Sequence, residues 1–76
     1  MDIAQIIANT TGLTPEEVTD SSRLVEDLGL DSLSVVEIAV RCEDAFGVRV
    51  EEEAVSRFST VGDVRAYIER AAAEKA

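Results

Sequence analysis

The chain has 76 residues and a mass of 8.2 kDa, the size of one small domain. Sixteen Asp and Glu stand against seven Lys and Arg, a formal net charge of −9. That balance excludes nucleic-acid binding, where affinity comes from cations meeting phosphates. The absence of His and the presence of only one Cys, Cys42, exclude a Ser-His-Asp or Cys-His catalytic set, a Cys-rich zinc site and an internal disulfide.

A chain that is 46% hydrophobic and 30% charged can fold. Its aromatic residues are Phe46, Phe58 and Tyr67 alone, so the core must be aliphatic. The apolar runs are too short to span a membrane. Met1-Asp2-Ile3 has no basic start before an apolar stretch, so no secretory signal is expected and cytoplasmic residence is the default. Crowded carboxylates repel one another, and stability is expected to rise with added salt or divalent cations. A melting temperature indifferent to both would refute this.

A first helix is expected over 2–11. Asp2 is a candidate N-cap, Ile3, Ile6 and Ile7 recur at helical spacing, and Gly12 is a candidate stop. Leu13 to Asp31 then reads as a long connection. Thr14-Pro15-Glu16-Glu17 has capping-box spacing and predicts one helical turn ending near Val18. Thr19-Asp20-Ser21-Ser22 is turn chemistry. Leu13, Val18, Leu24, Leu28 and Leu30 give the connection apolar anchors of its own, and loops of this length are usually functional or disordered. The anchors favour function.

The strongest helix is expected over 32–46, capped by Asp31 or Ser32 and ended by Gly47. Its helical wheel carries two apolar zones. Val35, Ile38, Ala39, Cys42, Ala45 and Phe46 form a broad core arc. Leu33, Val36 and Val40 form a narrower strip edged by Glu43 on one side and by Glu37 and Asp44 on the other. An apolar strip rimmed by acids suggests a docking surface, unless the helix is central and buries both zones. A short helix follows over 52–57, led in by Glu51-Glu52-Glu53, with Phe58 turned inward. The last helix is expected over 60–71, opened by Thr60 and Asp63 and packed through Val61, Val64, Tyr67 and Ile68, with a frayed tail from Ala71. The fold class is therefore all-α: a four-helix antiparallel bundle in a single domain, 1–76, with a long first loop and a short third helix.

Chemistry concentrates in Glu26-Asp27-Leu28-Gly29-Leu30-Asp31-Ser32-Leu33. Ser32 sits where the longest helix begins, and the N–H groups and positive dipole end there suit an attached anion. Ser is equally favoured as a plain N-cap. The chain offers no base to make Ser32 a nucleophile, so it is better suited to receive a phosphate-linked group from another enzyme.

Asp31-Ser32-Leu33, preceded by Glu26-Asp27-Leu28-Gly29, resembles the attachment motif of acyl carrier proteins. The resemblance runs from Ile3 to about Ile68. It takes in the acidic second helix, its Phe46-Gly47 end and the Thr60-Val61-Gly62-Asp63 start of the last helix. It implies that a phosphopantetheinyl transferase attaches 4′-phosphopantetheine covalently to Ser32, with Asp31 orienting the helix start, and that the arm carries acyl groups as thioesters. The protein would then be a monomeric, non-catalytic carrier in fatty acid, polyketide or related biosynthesis. Its partners would be acyl transferases, ketosynthases and other enzymes with basic docking patches.

In the same resemblance Glu37, Glu43 and Asp44 match acidic partner contacts, and Leu33, Val36 and Val40 match the apolar contacts between them. Arg41 stands one turn after Glu37 in the favourable order for an ion pair, which makes Glu37 the least secure of the set. Ala39, Cys42, Val55, Phe58 and Val64 would line an acyl pocket, made shallow by Val55 and Phe58; on its own, Cys42 reads as a small buried hydrophobe. The later start of the first helix and Arg65 in the last one depart from the family pattern. The alternatives are a peptidyl or D-alanyl carrier, or an unmodified acidic interaction module that gains no group at Ser32. A calcium protein is disfavoured because no Asp-x-Asp-x-Asp-Gly loop occurs.

Overall fold

The computed structural model describes residues 2–75, the Lys75 side chain excepted. Four helices form: α1 (Ile3–Thr11), α2 (Ser32–Phe46), α3 (Glu52–Arg57) and α4 (Val61–Lys75), with one 3₁₀ turn over Pro15–Glu17. Among the described residues no helix is long and apolar enough to cross a membrane. Local chemistry sets most of the boundaries. Asp2 caps α1, its Oδ1 accepting the Ile3 N–H at 2.8 Å. Gly12 and Gly47 close α1 and α2 in the left-handed conformation, at φ 83° and 65°. Thr60 and Asp63 form a reciprocal box at the start of α4. The Asp63 N–H reaches Thr60 Oγ1 at 3.2 Å, and the Thr60 N–H reaches Asp63 Oδ2 at 3.1 Å.

Three expectations need correction. The Thr14 box does not form: the Thr14 hydroxyl binds the Glu17 carboxylate at 3.1 Å and caps no N–H, because a single 3₁₀ turn offers no helix end to satisfy. Ala45 is exposed, at the margin of the core arc, where it faces a shallow groove with Asn9 and Arg41. The tail from Ala71 is helical rather than frayed. Ala71 packs half-buried on the core, and Ala is the best helix former.

The core is aliphatic. Ile7, Leu24, Ile38, Val61, Val64 and Cys42 are its largest fully buried side chains. The aromatic rings stand at its edge, with Phe58 and Tyr67 meeting edge to face at 5.7 Å. Backbone hydrogen bonds stitch the long first loop to the α3–α4 junction. The Leu24 N–H reaches Ser59 O at 2.9 Å, the Val61 N–H reaches Ser22 O at 3.0 Å, and the Gly62 N–H reaches Asp20 O at 2.8 Å. Any Cβ at position 62 would press to 3.0 Å from Asp20 O, so glycine permits the approach. Arg65 adds a second fastening. Its Nε meets Asp20 at 2.8 Å and its NH1 meets Asp2 at 2.9 Å, joining α4 to the loop and to the cap of α1. The late start of α1 is thereby tied down.

Candidate functional site: the opening of α2

The loop delivers α2 through a compact turn. Leu24 and Leu30 are buried anchors, and the Leu30 N–H closes on Leu24 O at 3.0 Å. Arg23 bridges Glu26 at 2.6 Å and Asp27 at 3.2 Å across the same turn. The Asp27 carboxyl is held below its ordinary range, first by the Arg23 side chain.

At the start of α2 the structure separates two residues that both suit a cap. Asp31 takes that role, its Oδ1 accepting the Ser34 N–H at 2.8 Å. This hydrogen bond lowers the Asp31 pKa and keeps it ionised. Ser32 is then the first helical residue, exposed, with its hydroxyl making no hydrogen bond among the described residues.

Ser32 opens onto a cleft of about 940 Å³ between α2, the α2–α3 link, α3 and the loop residue Val25. Val36, Ala39, Val50 and Val55 give it an apolar floor, and Glu43 and Glu51 to Glu53 form part of its rim. Of the five residues expected to line an acyl pocket, Ala39 and Val55 line this cleft. Cys42, Phe58 and Val64 do not. Cys42 and Val64 are turned into the core, and Phe58 follows the end of α3, where its ring is drawn to Tyr67. Phe58 therefore does not make the cleft shallow. Burial pushes the Cys42 thiol up to about 11, so it stays neutral and unreactive.

Leu33, Val36 and Val40 are exposed by 78%, 46% and 48%, so α2 does not bury its second apolar zone. Val25, at 61%, joins them and was missed from sequence. Its signal was the adjacency of Leu24 and Val25: only one of two neighbours can face the core. The acids divide into separate roles. Glu37 pairs with Arg41 at 3.2 Å, as their spacing suggested. Glu43, half-buried, accepts the Val50 N–H at 2.8 Å and so pins the α2–α3 link. Asp44 is exposed on the side toward α1, beside Asn9 and Arg41. Arg49, 84% exposed, contacts Glu51 at 3.3 Å on the cleft rim.

A small acidic helical bundle whose second helix opens on an unengaged hydroxyl, beside an apolar cleft and an exposed apolar strip, is built as a carrier domain. The family model described as "Phosphopantetheine attachment site" matches residues 2–68. An acyl carrier protein of Rhodococcus erythropolis is 48% identical over 75 residues, covering 99% of this chain and 82% of the relative. The meromycolate extension acyl carrier protein of Mycobacterium tuberculosis is 50% identical over 68 residues, covering 90% of this chain and 59% of the relative. The crystal structure of an acyl carrier protein from Thermotoga maritima superposes with a TM-score of 0.84 at 27% identity, covering 97% of this chain and 86% of that one. The chain belongs to the acyl carrier proteins.

Proposed function

We propose that Ser32 carries 4′-phosphopantetheine, attached through a phosphodiester by a phosphopantetheinyl transferase using coenzyme A. The observation that supports this is the division of labour at the start of α2. Asp31 caps the helix, and the Ser32 hydroxyl is left unengaged at its electropositive end. The bound group supplies a terminal thiol on which an acyl group rides as a thioester. The protein's own residues hold and present it. Asp31 keeps the helix start ordered, and the apolar floor of Val36, Ala39, Val50 and Val55 suits the nearer part of an acyl chain. Leu33, Val36 and Val40 face partner enzymes, with Glu37, Glu43 and Asp44 supplying charge around them. The protein is a cytoplasmic, non-catalytic carrier for enzymes of fatty-acid-type or related biosynthesis.

Intact-mass spectrometry of the native protein tests the reading. The expected result is a mass increased by one phosphopantetheine unit, with or without an acyl group, located on Ser32. A Ser32→Ala variant that still gains the unit from coenzyme A and transferase would overturn it.

A further inference from the structure

The cleft beside Ser32 joins two features that act differently on different cargoes. Its floor, Val36, Ala39, Val50 and Val55, is apolar. Its rim holds the carboxylates of Glu43, Glu51, Glu52 and Glu53, and Arg49 is the only cation among the described residues that line it. Arg49 is already engaged, its Nε 3.3 Å from Glu51. Glu43 brings its carboxylate to the edge of the floor, where it accepts the Val50 N–H at 2.8 Å. No ion pair neutralises Glu52 or Glu53 among the described residues. The cleft runs along α2 from Ser32 to Glu43, about 16 Å of helix axis at 1.5 Å per residue. A chain tethered at Ser32 and laid on this floor therefore carries its far end toward the carboxylates.

We infer that this cleft sorts cargo by charge: an acyl chain ending in a methyl group lies along the floor, whereas one ending in a carboxylate is turned out into water. The inference rests on the proposed role of Ser32 and deepens it by naming the class of acyl group that is retained. A methyl end leaves water for apolar side chains, which is favourable. A carboxylate end would lose hydration and meet four carboxylates against one guanidinium, in a cleft whose apolar wall weakens solvent screening. Arg49 does not rescue it, because turning to the cargo would strip Glu51 of its partner. One carrier thus holds two kinds of cargo in two places. Carboxylated groups stay exposed to any enzyme that approaches, and aliphatic chains stay withdrawn until an enzyme draws them out.

The test separates the cleft from the arm. Ser32→Cys places a thiol at the cleft mouth, while Cys42, buried and with its thiol pushed up to about 11, is left unmodified. Thiosulfonate exchange then attaches chains of matched length through a disulfide: n-hexyl, 5-carboxypentyl and the carboxamide of the latter. The methyl NMR signals of Ala39 and Val55 report whether the chain lies in the cleft. Both are expected to move with the hexyl chain and, less far, with the carboxamide; the carboxylate should move them about threefold less than the carboxamide at low salt. Concentrated salt should bring the carboxylate toward the carboxamide, with no change to the protein. Replacing Glu51, Glu52 and Glu53 together by Gln should do the same, and Arg49→Gln, outside every helix, should exclude the carboxylate further. The inference is overturned if the carboxylate moves the two methyls as far as the hexyl chain at low salt, or if the hexyl chain leaves both unmoved. It is equally overturned if the carboxamide is excluded as fully as the carboxylate, since polarity and not charge would then be the filter. Intact mass of the native protein decides the role of Ser32 separately: a protein with no arm there strikes that reading, and the tethered chains still decide what the cleft retains.

Discussion

Arg65 and Arg49 are the same side chain used in opposite ways. On the α1–α4 side, Arg65 is three-quarters covered and held by two carboxylates, and the loop beside it is stitched by three backbone hydrogen bonds. On the α2–α3 side, Arg49 is 84% exposed beside Glu51, and the apolar side chains Val25, Val36 and Val40 stand in water. In a domain with so small a core, one side gathers the polar bonds that close the structure. The other leaves apolar surface and charge unspent for contact with something else.

The sharpest way to break this comparison is at Ser32. Ser32→Ala should abolish covalent loading while leaving stability within about 0.5 kcal/mol, because the exposed hydroxyl makes no contact that holds the fold. Mass spectrometry and thermal unfolding read the two halves of the claim. A core change should do the reverse. Ile38→Ala, at a side chain 1% exposed, should cost about 2–5 kcal/mol in urea unfolding, whereas Leu33→Ala, earlier in the same helix, should cost less than about 0.5 kcal/mol. Equal losses at the two positions would show that the strip is buried in solution.

Arg65→Met tests the fastened side. It keeps most of the stem and removes both ion pairs, and should lower stability by about 1 kcal/mol, whereas Arg49→Met should change it by a few tenths at most. Acid is the mildest probe. Asp2, Asp27, Asp31 and Asp63 all have carboxyls held below their ordinary range. Arg65 is the first cause for Asp2, Arg23 for Asp27, and backbone N–H groups for Asp31 and Asp63. Groups lowered on folding contribute stability that is full above the unfolded value near 3.8 and is lost as pH falls through the folded values. Melting temperature should therefore drop only below about pH 4, and Asp31→Ala should flatten that limb. A limb unchanged by the substitution would mean that Asp31 gains nothing from capping α2.

Much of the helical frame was legible because it is written locally. Asp2, Gly12, Gly47, Thr60 and Asp63 act within one turn of themselves, and the spacing of Ile3, Ile6 and Ile7 needs only the helical period. The same locality misled at Thr14, where the right spacing met a turn too short to cap, and at Ala45, whose place on the wheel said nothing of how far α1 would reach over it. Asp31 and Ser32 were indistinguishable as caps until the backbone chose between them.

The sequence alone settled the helical class, the acid balance and the Glu37–Arg41 pair, because each depends on composition or on residues a few places apart. Tertiary structure decided what depends on residues distant in the chain. It joined Arg65 to Asp2 across 63 positions, turned Phe58 to Tyr67 and away from the cleft, and exposed Val25 beside α2. Periodicity assigns a side chain to a face of its own helix. Only the packed neighbours determine whether that face meets core, cleft or water.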